Sequence, residues 1–354
     1  MVINASLSLN LKKNSLFASV SIFGECATLI SPNSRWANFV SALVEAGICI
    51  VDLNSKEAEV FIAVDHHYTN KSIIKEDSKI LRSILIAIEP PSVNPEQFLL
   101  KNSQIYSRII TIPSLLSFFP SPIEWNPGFV TNEVKSPNEI SATLTSRQYR
   151  FGMLSSNKYS FIDSSLYTFR KLIIREFYRN EIKVTVGGAN WDRSLFWNCK
   201  EYFKAAVLYL HFVNFRKMLK SIKILLIRST HYTYVGKVED GLEFLRECRF
   251  VICTESDLHD FSEKIFNVRL AGSIPLYVGS DIRRFGIPEN QFIAMPQHPK
   301  EFVIKAIEIE RQLDLGVDFI GLADPNWLLN WKTETSFSDL ASICKKILLD
   351  SENS

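Results

Sequence analysis

The sequence predicts an α/β protein made of two Rossmann-like domains. Three observations carry that expectation. Short apolar runs, each ending in polar residues, alternate with helix-length segments along most of the chain. At 354 residues the chain exceeds what one hydrophobic core usually serves. The stretch 248–279 compresses a strand, an acidic turn, a helix and a second strand into one β-α-β unit.

In the N-terminal half, residues 15–23 read as a strand, 34–46 as a helix after the Pro32-Asn33 turn, and 47–51 as a returning strand. Val60–Val64 and residues 82–88 are apolar runs of the kind buried on both faces of a parallel sheet. The second ends at Glu89-Pro90-Pro91, where two prolines hold a carboxylate rigidly at the sheet edge. Val64 is followed by Asp65-His66-His67. Adjacent residues of a strand face opposite ways, so the two histidines read as a loop and not as one metal site.

The segment 130–146 is rich in Ser, Thr, Asn and Pro and marks a boundary. It divides the chain into an N-terminal domain over 1–140, a second domain over 141–335 and a C-terminal piece, 336–354. A helix over 339–349 is expected to cross back onto the first domain. The second domain opens with a strand over 151–156, a helix over 164–179 and a strand over 182–186 that runs into Gly187-Gly188.

Within 248–279, residues 249–253 form a buried strand ending at Thr254-Glu255-Ser256-Asp257. Ser262 has the character of an N-cap for a helix over 263–270, with Glu263 in its first turn and Ala271-Gly272 as its end. Residues 274–279 begin the next strand, with Pro275 near its start. Open sheets of this kind take ligands beyond the carboxyl ends of their strands, which places Glu255, Glu263 and Lys264 at the ligand-facing edge.

Hydrophobic residues at 46% and charged residues at 22% are globular values. A net charge of +2 leaves no nucleic-acid footprint. The six cysteines, at 26, 49, 199, 248, 253 and 344, lack CxxC spacing and read as reduced thiols of a cytoplasmic protein. No apolar run reaches the ~18 residues of a membrane span, and the N-terminus lacks the order of a signal peptide. Residues 205–228 mix large apolar side chains with Arg216, Lys217, Lys220, Lys223 and Arg228. That pattern fits a peripheral helix on an anionic bilayer, and equally a helix with one core face and one solvated face. HExxH, P-loop, GxSxG and DxD motifs are all missing, so peptidase, NTPase and simple hydrolase chemistry lack residues.

The run Cys248-Arg249-Phe250, the acidic turn with Glu255, Ser262-Glu263-Lys264 and then Ala271-Gly272-Ser273-Ile274-Pro275-Leu276-Tyr277-Val278-Gly279 resembles the donor-binding signature of the α-1,3-fucosyltransferases, glycosyltransferase family 10. Ser256 stands where the family has asparagine, Ser262 where it has threonine, and Phe261 near the place of a tyrosine. The resemblance covers residues 149–302 and implies a GT-B fold, two Rossmann-like domains facing across a crevice. It implies an inverting transferase moving fucose from GDP-fucose to a glycan hydroxyl with no obligatory metal. Donor contacts then fall on Arg170, Glu255, Phe261, Glu263 and Lys264, with Lys171 and Arg175 as rivals to Arg170.

Those residue types suit the task. An ammonium or a guanidinium fork offsets diphosphate charge, and a carboxylate accepts ribose hydroxyls. Gly187-Gly188 matches a glycine turn that lets backbone approach the nucleotide. Glu89 matches the family's general base, which takes the proton of the acceptor hydroxyl. The plainer readings are solvated first-turn residues at 263 and 264, a helix-surface arginine at 170 and a turn-capping glutamate at 89. An exostosin-type GT-B enzyme using another nucleotide sugar shares the glutamate and the Ala-Gly-x-Ile-Pro strand. A catalytically silent glycan- or nucleotide-binding protein is the reading outside the enzymes.

Overall fold

The structure, a computed structural model, describes residues 16–32, 34–53, 55–76, 82–125, 144–208, 216, 218–219, 222–226, 229–317 and 337–350. The chain divides into two compact units. Unit one comprises Met1–Glu89, Asn94–Gly128 and Thr333–Ser354; unit two comprises Pro90–Val93 and Phe129–Lys332. The expected boundary segment, 130–146, lies outside the described residues up to position 143.

Unit one is built on a seven-stranded sheet. Its strands are β1 (Leu16–Ile22), β2 (Glu25–Cys26), β3 (Ile48–Val51), β4 (Val60–Val64), β5 (Arg82–Ala87), β6 (Arg108–Thr111) and β7 (Ile123–Glu124). β1 pairs in parallel with β3 on one side and β4 on the other, and the sheet continues through β5, β6 and β7. The register sets Val20 beside Ile62, Ile62 beside Ile84 and Ile86 beside Ile110. These central residues are fully buried, which is why their runs are apolar without alternation. Among the described strands of this sheet, only β2, a two-residue hairpin return, is antiparallel.

Helix α1 (Arg35–Glu45) starts where Ser34 turns its hydroxyl to the backbone N–H of Trp36. It packs against the C-terminal helix of the same unit, Phe337–Asp350. Phe337 sits with its ring centroid 5.4 Å from Trp36 and 5.9 Å from Phe39, and Arg82 of β5 donates to the carbonyl of Leu348.

Unit two holds six parallel strands: β8 (Tyr149–Leu154), β9 (Val184–Gly187), β10 (Tyr232–Tyr234), β11 (Cys248–Thr254), β12 (Ile274–Val278) and β13 (Ile293–Ala294). Their spatial order is β10-β9-β8-β11-β12-β13. Counted within the unit this is the doubly wound order 3-2-1-4-5-6, with the direction of winding reversing between β8 and β11. The core stacks Phe151 of β8 against Phe250 of β11, centroids 5.5 Å apart, and against Phe177 of the helix Tyr167–Arg179 at 4.8 Å. Phe302 of the helix Pro299–Asp314 meets the edge of Phe177.

Two expectations are corrected. Ser262 does not cap the following helix, which begins at Lys264 with Glu263 in the cap position and no side-chain capping bond; the hydroxyl of Ser262 has a stronger acceptor elsewhere. Residues 205–228 are not one continuous helix. The helix Leu195–Leu208 includes the first four of them, and Ile222–Leu226 is a 3-10 turn. Positions 209–215, 217, 220–221 and 227–228 lie outside the described residues.

Candidate functional site

In a doubly wound sheet ligands bind beyond the carboxyl ends of the strands where the winding reverses, here between β8 and β11, and Glu255 is the first residue beyond β11. Its backbone N–H donates to Val278 at 2.9 Å, and its side chain has no exposed surface. A buried carboxylate must be paired and hydrogen-bonded to remain ionised. Glu255 accepts from the backbone N–H of Ser262 at 3.2 Å, from the Ser262 hydroxyl at 2.7 Å and from Nζ of Lys264 at 2.6 Å. Nζ also donates to Oγ of Ser262 at 3.0 Å, closing a triangle of three side chains.

Burial pushes the Glu255 carboxyl up, but the Lys264 ammonium and the two Ser262 donors outweigh it and hold the pKa below the ordinary value. Burial likewise pulls Lys264 down, and the charge of Glu255 more than restores it. Lys264 keeps 26% of its side chain exposed where Glu255 keeps none. The lysine is therefore the member able to meet a ligand, and Glu255 is the member that aims it.

Gly279 explains how the carboxylate fits. A Cβ at that position would lie 2.6 Å from Cγ of Glu255 and 2.3 Å from Oη of Tyr277, so the residue that follows β12 must be glycine for Glu255 to lie against it. Beyond the end of β9, on the other side of β8, the chain turns at Gly188, whose φ is +125°. A Cβ there would strike the carbonyl oxygen of Ser155 at 2.3 Å. That carbonyl instead accepts from Nε1 of Trp191 at 2.6 Å.

Arg170 is buried with 4% exposure, and its guanidinium is fixed to β11: Nε donates to Oγ1 of Thr254 at 2.8 Å and Nη2 to the Thr254 carbonyl at 2.9 Å. It also lies over the Tyr167 ring, 4.9 Å from the centroid. Burial lowers its pKa, and Tyr167, Glu255 and Asp260 act in the opposite direction. Lys171, its rival, is buried over the face of Tyr159, and among the described residues Nζ has no hydrogen-bond partner. Burial, and then Arg170, hold its pKa well below the usual range.

Glu263 is exposed at the helix start. Phe261 is buried, stacked on Phe285 with centroids 3.9 Å apart and edge-on to Phe266, so its ring faces are occupied within the core. Asp257, which sequence reasoning passed over, is fully buried and accepts from Ser164 Oγ at 2.6 Å, the Ser92 N–H at 3.1 Å and the His259 N–H at 2.9 Å. It ties the loop after β11 to the residues that precede the helix Tyr167–Arg179.

In unit one, Glu89 follows β5 and is half-buried. Its backbone is gripped at both ends. The N–H donates to Oδ1 of Asp65 at 3.1 Å, and the carbonyl accepts from Nε2 of Gln97 at 2.5 Å. Asp65 also accepts from the N–H of Ile88 at 2.8 Å and adopts a left-handed φ of 56°, which turns it from the end of β4 toward β5. His66 and His67 diverge: Nδ1 of His66 shares a hydrogen bond with Tyr106, and that of His67 one with Thr69. Among the described residues, no group of three or more His, Cys, Asp or Glu is placed to hold a metal ion.

Among solved structures, the chain is similar to Anabaena HepE in complex with UDP, with a TM-score of 0.55 at 12% identity over 95% of this chain and 100% of that one. It is also similar to an α1,3-fucosyltransferase, with a TM-score of 0.51 at 13% identity over 87% of this chain and 82% of that one. The fold is that of the GT-B glycosyltransferases. No family model matches the chain, and no curated protein matches its sequence. No described helix is long and apolar enough to cross a membrane.

Proposed function

We propose that the chain is an inverting glycosyltransferase whose unit two binds a nucleotide sugar, GDP-fucose by the motif resemblance, and which transfers the sugar to a glycan hydroxyl. The observation that carries this reading is the Glu255–Ser262–Lys264 triangle at the winding reversal of the doubly wound sheet. A buried carboxylate spent on aiming one partly exposed ammonium is an arrangement for holding an anion. A diphosphate that gains charge as the glycosidic bond breaks is an anion of the right kind.

In this mechanism Glu89 accepts the proton of the acceptor hydroxyl while that oxygen attacks the anomeric carbon from the face opposite the leaving group. The anomeric carbon–oxygen bond to the diphosphate breaks, its electron pair stays on the phosphate oxygen, and Lys264 offsets the new charge. One displacement inverts the anomeric centre. Arg170 holds the carboxyl end of β11 in place through Thr254 and adds positive potential. Glu263, exposed beside Lys264 in the chain, is the acceptor for the ribose hydroxyls. Glu255 acts through Lys264, and Phe261 supports the loop from beneath.

Thermal shift and calorimetry with GDP, UDP, CDP and GDP-fucose test the reading, because a ligand that binds only the folded state raises its melting temperature. Selective stabilisation by GDP and GDP-fucose is expected, with loss of binding in Lys264→Ala. Stabilisation by UDP alone replaces fucose with another donor, and no response to any nucleotide removes the transferase. Glu89→Gln should keep donor binding and lose about 10²–10⁴-fold in transfer.

A further inference from the structure

The helix Leu195–Leu208 in unit two turns large apolar side chains outward. Phe196 is 82% exposed, Phe203 57% and Val207 71%. At about 100° per residue these three positions share one stripe, with Lys200 and Lys204 along its border. Both lysines are exposed. The opposite face is the core side, where Tyr202 and Ala206 pack with Phe161 and Ile224. Single exposed apolar residues are ordinary in water, but a continuous stripe marks a surface that something covers.

Charge selects the partner. Between positions 193 and 228 the sequence has eight Lys and Arg residues and one acidic residue, Glu201, although the net charge of the whole chain is only +2. The remainder of the chain is therefore net negative, and positive charge is concentrated in this stretch of the sequence, with Arg193, Lys200, Lys204 and Arg216 of it exposed. A second copy of the same face would set lysines against lysines. Acidic lipid headgroups would neutralise them while the rings entered the headgroup–acyl boundary.

We propose that the outer face of the helix Leu195–Leu208 docks on an anionic lipid bilayer, with Phe196, Phe203 and Val207 as apolar anchors and Lys200 and Lys204 as contacts to the headgroups. The docking surface begins well before the basic stretch that the sequence singles out. It does not depend on the donor chemistry proposed above.

Vesicle flotation of the full chain tests it, with phosphatidylcholine alone and with phosphatidylcholine mixed with phosphatidylglycerol. Binding to the mixed vesicles and not to the neutral ones is expected. It should be released as salt rises from about 0.1 M to about 1 M, where screening falls from about 10 Å to about 3 Å. F196S/F203S should lose at least roughly tenfold in binding without a change in melting temperature, since both rings are already exposed. K200A/K204A should weaken binding about fivefold per lysine. Failure to bind anionic vesicles, equal binding to neutral ones, or undiminished binding of F196S/F203S overturns the proposal. A dimer seen by sedimentation, lost in F196S/F203S and indifferent to vesicles, would assign the face to self-association instead.

Discussion

Nζ of Lys264 lies 2.6 Å from Oε2 of Glu255, a carboxylate with no exposed surface, while the lysine itself remains partly exposed. The asymmetry makes the lysine the group on which the carboxylate depends. Lys264→Met would leave Glu255 buried without its counter-charge, at a cost of about 3 kcal/mol. Replacing both by methionine should recover most of that loss, because the uncompensated charge is gone. Denaturant unfolding of the single and double variants checks this, and equal destabilisation by both would show that packing and not charge is at stake.

The same pair fixes a pH window. Glu255 has its folded pKa depressed, so its contribution is complete above the unfolded value of about 4.3 and is lost as pH falls through the lower folded value. Lys264 has its folded pKa raised, so its contribution is complete below about 10.4 and is lost as pH rises beyond it. The stability difference between the native chain and the double methionine variant should therefore be flat from about pH 5 to about pH 10 and change on the acid side below about 4. A slope near neutrality would contradict the ion pair.

Gly279→Ala tests the seat of the carboxylate. The added methyl would fall 2.6 Å from Glu255 Cγ and 2.3 Å from Tyr277 Oη, both in a buried setting. A cost of about 1–3 kcal/mol is expected, as for overpacking elsewhere. Nucleotide-induced thermal stabilisation should fall with it, because Glu255 must shift and Lys264 with it. Unchanged stability would mean that β12 yields without cost.

The buried strands were readable because their apolar runs need no long-range information. Val60–Val64 appears over the residues expected, and β1, β5 and β11 differ from expectation only at their ends. Strand order was not readable, since placing β11 beside β8 brings Phe250 level with Phe151 from far along the chain. Ser262 shows how a local rule loses to a distant partner. Its hydroxyl would suit an N-cap, yet the buried Glu255 competes for it and wins. Asp65 had no sequence signal at all, because its role rests on a left-handed turn that only the approach of β5 reveals.

That turn makes Asp65 a second stability probe. Asp65→Ala removes the acceptor of two backbone N–H groups and leaves in the left-handed region a residue without the short polar side chain that favours it, for a combined cost of about 2–4 kcal/mol. Asp65→Asn keeps an acceptor oxygen and tolerates that backbone, so it should cost under about 1 kcal/mol. Equal losses would show that the carboxylate charge, and not its hydrogen-bond geometry, holds residues 88 and 89.

His66 offers a direct titration. It is buried, and burial, followed by His67 and Lys71, pulls its pKa down to about 4. Nδ1 lies 2.9 Å from Oη of Tyr106, while Nδ2 of Asn70 donates to that same oxygen at 3.0 Å. With Asn70 as donor, the phenol proton is directed at Nδ1, which must then be unprotonated, leaving the proton of the neutral ring on Nε2. Protonation would put a charge in a buried site and a proton on Nδ1 where the phenol already supplies one. Because the folded pKa is depressed, the contribution is complete above the unfolded value of about 6.5 and is lost progressively as pH falls from there toward 4. Heteronuclear NMR should find His66 as the Nε2–H tautomer titrating near 4, and His66→Gln should remove the stability slope between those values. A midpoint near 6.5 would mean that the ring is open to solvent and the network around Tyr106 does not hold it.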